Sequence, residues 1–279
     1  MSLSLKIKSF RLIGILLLIG SFLMACKKNK KKADEPVNPT LPVVIVVPPP
    51  VAEVKKYLPI LLEDGKNTIE FSYIDKSSLI SEIRYSDGRK DVFTYNSSKQ
   101  ILAHRRYNKD VLNSLMDYYL TTSGQVLRAA HSNVVANKFI PTGYALFEYN
   151  ANDRPINLKY YDNLRKIVKE EVREYNSTND LTAATTNTEG MASSKISYNY
   201  DSKQGMFKHL LNLSLLQIEA TDGLFISGNN NVLSVLKTSA GSVNQYFSYT
   251  YHIDEYPTTY TFTEGTVKKT YKISYKLLE

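Results

Sequence analysis

Ser81–Asp110 reads SEIRYSDGRKDVFTYNSSKQILAHRRYNKD. Three times in this stretch a run suited to a strand ends in tyrosine and passes into a polar turn. Tyr85 leads into Ser86-Asp87-Gly88, Tyr95 into Asn96-Ser97-Ser98, and Tyr107 into Asn108-Lys109-Asp110. The unit recurs downstream: Tyr149 before Asn150-Ala151-Asn152-Asp153, Tyr161 before Asp162-Asn163, Tyr175 before Asn176-Ser177-Thr178-Asn179-Asp180, and Tyr200 before Asp201-Ser202. Asn, Asp and Gly tolerate the left-handed backbone that hairpin turns need, and Asn and Asp can also close the turn through their side chains. Tyr and Phe suit a pleated, half-buried surface. Tyrosines at 73, 85, 95, 107 and 119 set a period close to twelve residues, and evenly spaced short strands with turn residues between them are the all-β pattern. The expected fold is therefore all-β, an antiparallel β-meander forming a large curved sheet or barrel-like domain with at most one short helix.

The rest of the chain is read around that unit. There are 21 tyrosines and no tryptophan, so tyrosine supplies most of the aromatic area. Tyr246, Ser248, Thr250 and His252 interleave with Phe247, Tyr249, Tyr251 and Ile253, which predicts an aromatic row on one face of a strand. Glu255-Tyr256-Pro257 and Glu264-Gly265 mark further turns. The last strand, Lys268 to Lys276, alternates Lys, Thr, Lys, Ser against Tyr271, Ile273 and Tyr275 only imperfectly. Phe207, Leu210, Leu211, Leu215 and Ile218 fall at helical spacing, so Met206 to Glu219 reads as the short amphipathic helix. Leu164 to Tyr175 suits either period and is assigned to strand, because Tyr161-Asp162-Asn163 occupies the turn register of the other units.

The N-terminal part is of another kind. Lys6, Lys8 and Arg11 precede an apolar run from Leu12 to Ala25, the basic and apolar regions of an export signal. The run is shorter than the ~20 residues a spanning helix needs. It ends in Leu23-Met24-Ala25-Cys26, which resembles the bacterial lipobox, with Met24 where a small residue is commoner. The resemblance implies a lipoprotein signal peptide over 1–25 and lipidation of Cys26, the chain's single cysteine. Several acyl chains make a stable anchor where one alone binds marginally. No other cysteine remains for a disulfide, nucleophile or thiolate ligand.

The formal charge of +8 belongs mostly to this region. Residues 1–35 hold eight basic and two acidic residues, leaving residues 36–279 at only +2. A nucleic-acid partner, which needs a basic footprint on the folded part, is therefore not expected. Lys27 to Lys32 reads equally as a solvated spacer or as a contact for anionic headgroups beside the anchor. In Bacteroidota-type lipoproteins surface export resembles a code of acidic residues just after the cysteine. Lysines stand there in this chain, so the expected location is the cell envelope, at the outer membrane facing the periplasm. Six prolines between Pro36 and Pro50 flank Val43–Val47. They favour an extended spacer, a short edge strand being the alternative. The expected division is a signal peptide over 1–25, a lipidated basic and Pro-rich stalk over 26–54, and a tyrosine-rich β domain over 55–279.

The Tyr-Asn/Asp units resemble degenerate tyrosine-aspartate (YD/RHS-like) repeats. Ile196-Ser197-Tyr198-Asn199-Tyr200-Asp201, Asn229-Asn230-Asn231-Val232 and Tyr249-Thr250-Tyr251 followed by Tyr256-Pro257-Thr258 resemble Bacteroidota lipoprotein domains of unknown function with a porin-like β fold. That resemblance implies a fold and a compartment but no activity.

No motif declares a chemistry. His104, His131, His209 and His252 lack paired-ligand spacing and read as surface or strand-face residues. No nucleophile elbow, phosphate loop or dinucleotide fingerprint occurs. Glu170 and Glu171 are adjacent on a strand, so they point to opposite faces and could not share a substrate. No catalytic, cofactor-binding or metal residue is assigned, and no cofactor is expected. Two readings follow. One is a noncatalytic envelope lipoprotein with a structural or partner-binding β domain, an unbroken sheet without a deep polar pocket. The other is a glycan- or lipid-binding lipoprotein, with tyrosines lining a concave apolar cavity. An enzyme ranks third and would need His, Asp or Glu clustered in a cleft.

Overall fold

In the computed structural model, residues 55–219, 223–239 and 241–278 are described. The leader, Cys26 and the Pro-rich segment lie outside them. Sixteen strands follow one another along the chain: β1 (Tyr57–Glu63), β2 (Thr68–Tyr73), β3 (Ile80–Tyr85), β4 (Arg89–Tyr95), β5 (Ile101–Asn108), β6 (Val111–Leu120), β7 (Val126–Val135) and β8 (Lys138–Tyr149). The second half continues with β9 (Pro155–Tyr161), β10 (Ile167–Tyr175), β11 (Leu181–Thr188), β12 (Ser194–Tyr200), β13 (Val232–Lys237), β14 (Gln245–Tyr251), β15 (Pro257–Glu264) and β16 (Val267–Leu277). Every strand pairs antiparallel with its sequence neighbours, and β16 pairs with β1, from Tyr57↔Leu277 to Glu63↔Lys272, so the sheet closes into a barrel. One helix, α1 (Leu213–Glu219), lies between β12 and β13.

The tyrosine unit has a mechanical explanation. Where β4, β8, β10 and β14 pass into the next strand, the turn repeats one form. Asn96 N donates to Gln100 O and Lys99 N to Asn96 O, and the same pair of bonds closes Asn150–Arg154, Asn176–Asp180 and His252–Tyr256. The fourth residue is left-handed each time: Lys99, Asp153, Asn179 and Glu255. The first residue closes the turn with its side chain, since Asn96, Asn150 and Asn176 each accept from the backbone N–H four residues on. The strand that follows carries a bulge at its second residue, with pairing slipping between Thr94 and Tyr95 and between Glu174 and Tyr175. Such a bulge bends and twists the sheet.

The tyrosine hydroxyl then ties the hairpin together. Tyr73, Tyr95, Tyr149, Tyr175, Tyr200, Tyr249 and Tyr275 donate to the carbonyls of Pro59, Ile80, Val126, Pro155, Leu181, Val232 and Pro257, in seven of the eight sequential hairpins. In six of the seven the acceptor is the apolar residue that opens the partner strand. Burial raises the pKa of all seven tyrosines, so the phenols stay neutral donors. Tyr149→Phe is expected to lower unfolding stability by about 0.5–1.5 kcal/mol, the net worth of one such bond. Urea denaturation should show it as a lower midpoint at unchanged slope.

Strand alternation sends apolar residues inward: Leu62, Phe71, Ile83, Phe93, Met116, Ala129, Ala145, Phe147, Leu158 and Ile273 are buried. The outward positions include the exposed Glu70, Arg84, Asp117, Glu148, Glu174 and Lys272. A ring of sixteen strands encloses room for a channel. Here the described parts of the long β12–β13 connection, residues 201–219 and 223–231, fold into the lumen as a plug and join the core with Met206, Phe207, Leu210, Leu213, Leu215, Leu216 and Phe225.

The plug corrects the expected helix. Asn212 is left-handed at φ 58° and cuts it, so α1 begins after this residue and Met206–Asn212 forms turns. Gly205 N donates to Asn229 O and Met206 N to Asn231 Oδ1. At Gly205 a Cβ would come within 1.9 Å of Gly228 O, so only glycine permits that approach. The Asn229–Asn231 run is the fastening. Asp180 Oδ1 accepts from Asn229 N and Asn230 N, and Asp201 accepts from Asn231 N and Nδ2.

The terminal strands also depart from expectation in one place. Phe247 and Tyr249 face the lumen, but pairing slips between Thr250 and Tyr251, and β14 ends at Tyr251. Ile253 sits in the following turn at 90% exposure. The aromatic row therefore ends at Tyr251, whose ring lies 6.0 Å from that of Tyr249 and whose hydroxyl meets Asp201 of the plug, and does not extend to Ile253.

Candidate functional site

The inward positions of β12 to β16 carry the concentration of aromatic side chains. Tyr198 stands opposite Val235, Val235 opposite Gln245, Phe247 opposite Phe262, Tyr249 opposite Tyr260, and Tyr260 opposite Tyr271. Tyr260 and Tyr271 stack at 4.8 Å between ring centroids, and Phe247 and Phe262 tilt together at 5.5 Å. Cross-strand aromatic pairs of this kind contribute about 0.2–1 kcal/mol each, so the wall is stiff as well as apolar.

This wall bounds a cavity of about 530 Å³ in the lumen, within the range of small-molecule sites. Met206, Gln217, Leu224, Ile226 and Ser227 of the plug close it on one side. Its remaining lining includes Ile69, Tyr85 and Arg89 from the β2–β4 side, together with Lys237 and Lys269. These cations stand close to the turns at the end of the barrel away from Tyr57 and Leu277. Burial raises the pKa of Tyr198 to about 12 and that of Tyr249 further. Tyr249 OH is already committed to Val232 O at 2.7 Å.

The cations differ in their partners. Arg89 Nε bonds Asp87 Oδ2 at 2.8 Å, with the guanidinium over the Tyr85 ring. Lys237 Nζ lies 3.5 Å from Glu264 Oε1, which also accepts from Gln245 Nε2. Lys269 is on the inward face opposite Phe262, at the rim, where it is exposed. It is the residue that made the alternation of the last strand imperfect: Tyr271, Ile273 and Tyr275 share its face, and its place there would otherwise be apolar.

The four histidines are not brought together. His104 is buried, stacked on Phe93 at 4.4 Å, with Nε2 2.9 Å from Asp91 Oδ1. It faces the lumen, away from the surface. His131 lies on β7 opposite Gly143. His209, in the plug, bonds Tyr256 OH at 2.5 Å, and burial with help from Lys208 and Lys56 lowers its pKa. His252 sits exposed in the β14–β15 turn, where Nδ1 accepts from Asp254 N.

Glu170 and Glu171 occupy opposite faces of β10. Glu171 is buried in the lumen, bonded by Arg173 Nε at 2.6 Å. Burial works against the Arg173 charge, but Glu171 and Tyr175 outweigh it and its pKa is raised. Among the described residues no group of three or more His, Cys, Asp and Glu is placed to hold a metal ion. Neither this ion pair nor the His104–Asp91 pair lines the cavity.

The sequence named none of the cavity's cations. The available signal was the period-two placement of Gln245, Phe247 and Tyr249, of Tyr260 and Phe262, and of Lys269 and Tyr271. It becomes legible once the facing direction of each strand is known.

No family profile matches the chain, and no curated protein matches it. Among solved structures, a porin-like protein from Bacteroides uniformis ATCC 8492 is 11% identical with a TM-score of 0.45, covering 80% of this chain and 97% of that one. A porin-like protein from Bacteroides vulgatus ATCC 8482 is 12% identical with a TM-score of 0.48, covering 79% and 99%. A TcdB2-TccC3-TEV structure is 14% identical with a TM-score of 0.29, the match covering 74% of this chain and 9% of that one. Likeness this distant transfers no activity, ligand or partner.

Proposed function

We propose that this chain is a noncatalytic binding protein of the cell envelope, tethered by lipid at Cys26, whose barrel takes up a small ligand with an apolar body in its lumen. The carrying observation is the cavity of about 530 Å³ walled by Tyr198, Phe247, Tyr249, Tyr260, Phe262 and Tyr271. A purely structural barrel would have that space filled, as the other part of the lumen is filled by Phe207 and Phe225. Charged residues on the outer wall support a barrel that meets water. A membrane barrel presents an apolar band about 25 Å tall to lipid, whereas Glu70, Arg84, Asp117, Glu148, Glu174 and Lys272 are exposed here. The lumen is thus where an apolar guest would be sheltered.

A thermal-shift screen against single-chain lipids and glycans tests this. A ligand present at about 100 times its Kd adds about 2.7 kcal/mol to the folded state. In a domain of this size that is a rise of about 5–10 °C in Tm. Ile196→Trp, which fills the cavity from β12, should abolish the shift and leave the circular dichroism spectrum unchanged. No shift across the whole panel would remove the cavity as a binding site.

A further inference from the structure

We propose that the guest is an anionic amphiphile, with a carboxylate or phosphate head held at the cavity mouth by Lys269 and its apolar chain against the aromatic wall. This rests on the cavity being a binding site, and it names the ligand class from the charge of the lining. Arg89, Lys237 and Lys269 line the cavity, and among the described residues no Asp or Glu does. Arg89 and Lys237 have carboxylate partners, Asp87 and Glu264, outside the lining. Lys269 has no ion pair within 4 Å among the described residues; its field reaches Asp64, whose pKa is lowered first by Asn67 and only last by Lys269.

The chemistry of the lining narrows the head further. A neutral sugar brings many hydroxyls, each needing a partner once desolvated. Besides the three cations and the tyrosines, the described lining offers side-chain partners in Gln217, Gln245 and Ser227. A cationic head would be repelled by Lys269, whose charge has no carboxylate beside it among the described residues. An anion at Lys269 finds a partner beside the Phe262 ring at the exposed rim of the cavity, with the aromatic wall below it to take the chain. Lys237 on β13 and Arg89 on β4 stand elsewhere around the mouth, each offset by its own carboxylate, so Lys269 is the cation that selects for an anion. The chain then lies between Tyr260, Tyr271, Phe247 and the plug residues Leu224 and Ile226, all lining residues.

The test uses the full chain carrying Cys26→Ser, so that no acyl anchor competes, and four probes with a dodecyl or dodecanoyl chain, each below its micelle concentration or, for dodecanol, its solubility limit: dodecanoate, dodecyl phosphate, dodecanol and dodecyltrimethylammonium. Isothermal calorimetry is expected to give at least one anion a Kd about tenfold below that of dodecanol, a difference of about 1.4 kcal/mol, with the ammonium probe weakest. The tighter of the two anions identifies the head as carboxylate or phosphate. Lys269→Gln should raise the anion Kd about tenfold and leave dodecanol within about twofold, while Lys269→Arg restores anion binding. Equal Kd values for dodecanol and both anions, or an anion Kd unmoved by Lys269→Gln, would overturn the charged-head assignment while leaving the cavity as a binding site. Absence of binding by all four probes, or binding undiminished in Ile196→Trp, would overturn the cavity reading itself.

Discussion

Phe207→Ala is expected to cost about 3–5 kcal/mol of unfolding stability, the range for removing a buried ring and leaving a void. Phe207 is fully buried and meets Phe71 of the barrel wall at 5.7 Å and Phe225 of the plug at 4.9 Å. Its ring joins the plug to the wall, as that of Phe225 does at 6.4 Å from Phe71. The plug backbone is fixed at Gly205, Asn229 and Asn231, so it is poorly able to collapse into the space. Urea unfolding followed by far-ultraviolet circular dichroism gives the number. A loss below about 1 kcal/mol would mean that the plug unfolds separately from the barrel. Because plug residues also close the cavity, the same variant should weaken ligand uptake well before it unfolds.

Glu171→Ala should destabilise by a similar amount, about 3–5 kcal/mol, for a different reason. Glu171 and Arg173 are both buried on the lumen face of β10, with Nε and Oε1 2.6 Å apart. Removing the carboxylate strands a guanidinium where water cannot replace its partner. The pair itself is worth much less than that loss, since two charges were desolvated to make it. Glu171→Leu combined with Arg173→Met should therefore return to within about 1–2 kcal/mol of the parent or exceed it. The four-corner comparison of Glu171→Leu, Arg173→Met, the double variant and the parent measures the coupling directly. If the double variant is as unstable as the single, the lumen at this level depends on the charges for more than mutual compensation.

The fold was legible because one local unit carries several constraints together. The Tyr-Asn pair states where a strand ends, which residue closes the turn, and which hydroxyl reaches the neighbouring strand; repetition then builds a meander. Closure was not legible, because pairing of β1 with β16 depends on accumulated twist and bulging, which no window of a dozen residues contains. The Ala136-Asn137 turn is illegible for a local reason: both residues are left-handed, at φ 49° and 60°, and alanine gives no warning of it. The plug was half legible. Its apolar periodicity was visible, but the left-handed Asn212 shortened the helix, and the Asn229–Asn231 anchor acts through Asp180 and Asp201, far off in sequence. The cavity was least legible. Lys269 sits where the alternating pattern is broken, and a broken alternation reads as a weak strand until the face it interrupts is known to line a lumen.

Hydrogen bonding of β1 to β16 also fixes when the protein can be completed. The two partners stand at opposite ends of the folded unit in chain order, so until the last strand is present every partial sheet has two raw edges open to stray pairing. Contacts of that sequence separation make assembly slow and aggregation-exposed. Ring closure is therefore a single late event: an arriving C-terminal segment seals both edges together, and any chain interrupted before it remains an open, adhesive ribbon.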